Sequence, residues 1–196
     1  MKDLLPVLPL SGVRNCHAEG VYSFLISEDK RVFATTEWTP LAANDFGDAV
    51  GFHDHHRDIS LRVVLGEILN ITVRPGKHPY PYKPWRWDSS LRKGSGRFTP
   101  VNGDDLTGPS NQSTVTLLNR STGHLDIHRD EFHTVKQLSK MTAWIVTEYG
   151  ESTGQPTTTW SRMNLSEWHT LSEWYQPMDK SEINQVWGAI RSAIKP

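Results

Sequence analysis

The sequence predicts a mainly β fold, an antiparallel barrel or sandwich with a helical appendage at its C-terminal end. Three observations carry this. Short β-branched runs punctuated by Gly, Pro, Asn or Asp fill the first 150 residues. No long apolar helical period interrupts them to supply the crossover helices of a parallel sheet. Only in the last 33 residues does the period become helical.

The runs at 21–27, 31–36, 59–65 and 68–74 read as strands, as do 113–119 and 142–148. Gly66 separates the third from the fourth, so these two read as a hairpin. The stretch 76–112 is rich in Pro, Gly, Asn and aromatics and is expected to be a long loop, of the kind used as a lid or binding loop. Tyr80, Tyr82, Trp85 and Trp87, interleaved with Lys83 and Arg86, pin it onto the barrel or close it over a ligand. A second hairpin is expected over 123–137, followed by the apolar strand 141–148. Asn164 caps a helix reaching Tyr175, and Pro177 breaks it. Asp179 with Glu182 three residues on forms a capping box for a second helix. Its residues Ile183, Val186, Trp187, Ile190 and Ile194 paint one apolar stripe, to be covered by the barrel or by a second copy in a homodimer. Trp160, Trp168 and Trp174 are read with Trp187 as core or interface residues.

The chain of 196 residues suits one domain, a barrel over 1–160 with its loop at 76–112 and a helical segment over 161–196 packed on it. Lys and Arg number 21 against 22 Asp and Glu, a net charge of −1 that lacks the electrostatic footprint of a nucleic-acid or membrane-surface binder. A small-molecule substrate is the better expectation. The single Cys16 forms no internal disulfide, the N-terminus has no uninterrupted apolar signal core, and no run approaches the roughly 18 apolar residues of a membrane span. The chain therefore reads as cytoplasmic, which leaves its four N-x-[ST] sequons idle. Its 9 His and 8 Trp are many for this length.

The chemical signal lies in Gly51-Phe-His53-Asp-His55-His56-Arg57-Asp58. On a strand, residues two apart share a face, so His53 and His55 stand side by side while Asp54 and His56 point away. A solvated His-rich turn is the plainer reading of so polar a stretch. A third imidazole from the later hairpin, His133, would complete a set of three nitrogen ligands with open positions, the requirement of a catalytic metal site. His56 replaces His55 if a bulge shifts the parity, and His128 is the other rival. Arg57, Arg62 and Arg74 are candidates to hold a substrate carboxylate. Cys16, flanked by Asn15 and His17, is a poor candidate nucleophile, because neighbours on an extended chain face opposite ways.

The two segments resemble the motifs of the cupin superfamily. Gly47, His53, His55 and Gly66 fall on the first motif, with Ile59 where the family has a Glu; Asp58 stands one position too early. On the second motif fall His133 and, at the Asn position, Gln137, while His128 and Asp130 occupy the Pro and Gly positions. The resemblance spans roughly residues 20–150 and implies a cupin-like antiparallel β-barrel (double-stranded β-helix) with a metal inside. Three His without the Glu are similar to the thiol dioxygenases, such as cysteine dioxygenase. The implied activity is an Fe(II) dioxygenase-like oxidoreductase, with Mn, Ni or Zn as other metals. His53, His55 and His133 would ligate, and Gln137 and Arg62 would orient a small polar or anionic substrate. A non-catalytic cupin binding a ligand or a protein, and a sugar isomerase or epimerase on the same fold, are the alternatives. An isomerase would require a well-placed general base.

Overall fold

The computed structural model describes residues 7–39, 41, 51–77, 83–88, 97–101, 107–154, 157–161 and 175–194. Fourteen strands and one helix are found there. The strands form two seven-stranded antiparallel sheets facing each other, a cupin-like β architecture.

The first sheet runs in the order β10 (Leu125–Ile127), β5 (Asp58–Leu65), β12 (Thr142–Tyr149), β3 (Lys30–Thr35), β2 (Val21–Ser27), β1 (Ser11–Arg14) and β14 (Gln176–Pro177). The second runs β8 (Arg97–Pro100), β7 (Lys83–Asp88), β13 (Thr158–Ser161), β4 (Phe52–His53), β11 (Phe132–Gln137), β6 (Glu67–Lys77) and β9 (Thr107–Asn119). Neither expected hairpin forms: β5 and β6 lie in opposite sheets, as do β10 and β11, because each turn carries the chain across from one sheet to the other. Gly66 joins β5 to β6 at a φ of 69°, and a Cβ there would strike the Met141 carbonyl. A side chain fails at that turn on both counts.

Much of the stretch expected to be one long loop is strand. β6 extends to Lys77, β7 and β8 pair with each other, and β9 begins at Thr107 to pair along β6. Pro and aromatic residues masked the strand signal. Tyr80 and Tyr82 lie outside the described residues, as do the expected helix over 164–174, Trp168 and Trp174.

One core lies between the sheets, built from Val21, Leu61, Val63, Ile68, Leu118 and Trp144 among others. A second lies on the outer face of the first sheet, where Phe24, Val32, Val64 and Ile145 meet Ile183, Trp187, Ile190 and Ile194 of α1 (Lys180–Ile194). The stripe foreseen on this helix is thus buried within the chain, at roughly 1.5–3 kcal/mol per large apolar side chain. The capping box forms in both directions: Glu182 N–H donates to Asp179 Oδ1 and Asp179 N–H to Glu182 Oε2, each at 2.9 Å. No helix among the described residues is long and apolar enough to cross a membrane.

Candidate metal centre

β4 is two residues long and wedged between β13 and β11, with His53 opposite Thr159 on one side and His133 on the other. Close approach makes this possible: a Cβ on Gly51 would collide with the Trp160 carbonyl. The strand ends at His53, so the alternation expected for the following residues does not persist. His55 still turns to the side of His53, and Asp54 lines the same cavity while its Oδ1 accepts the Thr158 N–H at 2.7 Å.

His53, His55 and His133 come together, their candidate ligand atoms all within 4.8 Å of one another. His55 Nε2 lies 2.8 Å from His133 Nε2. Two nitrogens bound at right angles about a metal at ~2.1 Å stand roughly 3.0 Å apart, so the spacing suits a divalent ion. The tautomers of His133 and His53 agree with that use. His133 Nδ1–H donates to Asn70 Oδ1 at 2.8 Å, and the Asn70 amide is itself fixed by donating to Thr72 Oγ1 at 2.8 Å. His133 Nε2 therefore presents its lone pair to the centre. His53 Nδ1–H donates to the Gly51 carbonyl at 3.3 Å, which leaves its Nε2 bare in the same way. Burial holds the His53 imidazole down to about 4 and keeps His55 and His133 well below their ordinary range. All three are neutral near pH 7, as metal ligation requires.

The centre opens into a cavity of about 240 Å³ between the sheets. Val21, Phe33, Ile59, Trp144 and Val146 form apolar walls, and Phe33 stacks on Trp144 with centroids 5.7 Å apart. Polar lining comes from His17, Arg31, Asp54, Thr134, Glu148, Thr159 and Tyr175. Burial raises the Asp54 carboxyl to about 6.

The other expected residues lie elsewhere. Arg62 is exposed and does not line the cavity, nor do Arg57 and Arg74. Gln137 is buried, and its amide is engaged by loops: Oε1 accepts from Thr39 N–H and Oγ1, and the two Nε2 hydrogens are shared among Thr35 Oγ1 and the carbonyls of Glu37, Ser139 and Lys140, all within hydrogen-bond distance. It ties the turn after β3 to the β11–β12 connection. His56 is exposed, and exposed His128 sits beside Asp58 and Asp130. Asp58 accepts the Arg129 N–H at 2.9 Å, away from the centre. Sequence reading missed Asn70, whose one signal was a polar residue interrupting an apolar strand, and missed His17, Arg31, Glu148 and Tyr175 as cavity residues.

No protein family and no curated protein matches the chain. Among solved structures, ligand-free L-ribose isomerase of Cellulomonas parahominis aligns at 12% identity and a TM-score of 0.34, over 74% of this chain and 62% of that one. L-ribose isomerase of Acinetobacter sp. DL28 in complex with L-ribose aligns at 10% identity and 0.34, over 75% and 63%. The chain thus spans less than two thirds of the length of these isomerases.

Proposed function

We propose that the chain is a divalent-metal enzyme that moves a proton within a small oxygen-rich molecule, an isomerase or epimerase of the sugar-converting kind. The observation that carries this reading is that one cavity holds both the three imidazoles and two carboxylates, Asp54 and Glu148. A bound divalent ion supplies Lewis-acid polarisation of a carbonyl or hydroxyl oxygen. Glu148, in a wall shared with Phe33, Trp144 and Val146, takes the proton from carbon and returns it to the neighbouring atom. Thr159 offers a hydroxyl to those of the substrate, and the stacked Phe33 and Trp144 give its C–H face a flat surface. A volume of about 240 Å³ limits the substrate to a small molecule.

A second reading is oxygenation by an Fe(II) enzyme. Its support is the donor set, three imidazoles with no carboxylate in the group. One experiment separates the two. The chain, loaded in turn with Fe(II), Mn(II), Ni(II) or Zn(II), is incubated in D2O with aldoses, ketoses, small thiols and carboxylates. Proton NMR and an oxygen electrode are read together. Deuterium entering beside a carbonyl without oxygen uptake supports isomerisation. Oxygen uptake matched to product selects the dioxygenase, and silence from a metal-loaded chain leaves a ligand-binding module.

A further inference from the structure

Asn15, His17 and Tyr175 are the described non-glycine residues with positive φ, at 54°, 68° and 53°. They meet at one corner of the molecule, although Tyr175 is 158 residues from His17. Tyr175 N–H donates to the Asn15 carbonyl at 3.3 Å, and Asn15 Oδ1 accepts the Gly20 N–H at 2.9 Å. Asn and His enter the left-handed region more readily than most residues, whereas Tyr does so rarely. Such conformations persist where the surroundings hold them, and they gather at functional sites.

This corner aims two polar side chains at the cavity. His17 lies on His53 with ring centroids 5.1 Å apart and planes 19° from parallel, so its edge runs alongside a candidate ligand. Tyr175 Oη lies 3.4 Å from His17 Nδ1. Burial raises the phenol well above its ordinary range, so it keeps its proton, and we assign His17 Nδ1 as the acceptor of that proton. With Nδ1 accepting, neutral His17 carries its proton on Nε2. No hydrogen bond from Nε2 to any described residue is present, and the half-buried ring faces the cavity.

We infer that His17, held by Tyr175, donates an Nε2–H hydrogen bond to the ligand atom next to the metal centre, so that the site selects molecules carrying an anionic or strongly accepting atom there. This rests on the three-histidine metal reading. His17 touches the ligand, and Tyr175 positions His17 by fixing its tautomer.

The test uses the full chain loaded with Co(II), with azide as the probe and the visible spectrum of the cobalt as the readout. His17→Phe keeps a ring against His53 and Phe33 but lacks the donor. It is expected to bind Co(II) within about threefold of the unaltered chain and azide roughly fivefold to tenfold more weakly, the value of one hydrogen bond. His17→Gln, which restores a donor, recovers most of that loss, and Tyr175→Phe loses less than His17→Phe. Should His17→Phe lose its fold by circular dichroism, Tyr175→Phe decides alone: weakened azide with Co(II) retained supports the assignment, and unchanged azide overturns it. Azide affinity in a Co(II)-loaded His17→Phe equal to that of the unaltered chain, or no azide response in the unaltered chain, overturns the assignment and leaves the metal site standing. Failure of the unaltered chain to take Co(II) overturns both.

Discussion

Asn70 shows how much one side chain can set. It is fully buried on β6, faces Val135 across the ladder and accepts the His133 Nδ1–H. Partners of this kind fix a ligand's ring and tautomer, and their loss typically costs 10–100-fold in metal affinity. Asn70→Ala is expected to weaken divalent-metal binding by about that factor while circular dichroism stays unchanged; metal titration of the variant checks it. Cys16 makes a second prediction. Burial pushes its thiol up from about 9 to about 12, with Arg31 and Ser23 opposing. The folded chain keeps its proton where the unfolded chain loses it, so this group's contribution to stability is whole below pH 9 and is lost as pH rises towards 12. A thiol reagent at pH 8 should leave Cys16 unmodified until urea unfolds the chain. At this scale the gathering of His53, His55 and His133 was legible from the His-x-His spacing and a later His-bearing strand, although the strand expected to carry both of the first two ends at His53. Gln137 was not, since its role depends on Thr35, Thr39 and the Ser139–Lys140 carbonyls, which only the fold brings to it.

The elements divide along the same line. β2, β5 and α1 were readable almost residue by residue, because alternation, a glycine turn and a capping box each leave a mark within a few positions. β4 carried no such mark, being two residues long and held by neighbours rather than by its own propensity. β7, β8 and the start of β9 were hidden by Pro and Gly, residues that interior strands avoid but strands near a sheet edge tolerate. A prediction follows for β4. Gly51→Ala places a methyl against the Trp160 carbonyl, which must separate β4 from β13. The expected result is a loss of roughly 1–3 kcal/mol of stability, as for other overpacked sites. Metal affinity should fall with it, because the Gly51 carbonyl orients His53. Urea unfolding and metal titration of the one variant report both.

Across the whole molecule, two sheets close over a cavity lined by the three imidazoles and by Arg31 and Glu148. The first sheet supplies the apolar walls and the second the candidate ligands, with α1 sealing the far side of the first sheet. The fold class was legible from strand punctuation alone. The cavity and the identity of its polar lining were not, because Arg31, Glu148 and Tyr175 reach it from separate elements. The central claim is that these three imidazoles bind a metal. The most direct measurement is metal content after reconstitution, with X-ray absorption to count the nitrogen ligands, in the unaltered chain and in His53→Ala and His133→Ala. The account predicts about one divalent ion per chain held by three imidazole nitrogens at roughly 2.0–2.2 Å, and its loss from both folded variants. A chain that takes up none of Fe(II), Mn(II), Ni(II) or Zn(II), or variants that bind as the unaltered chain does, would contradict it.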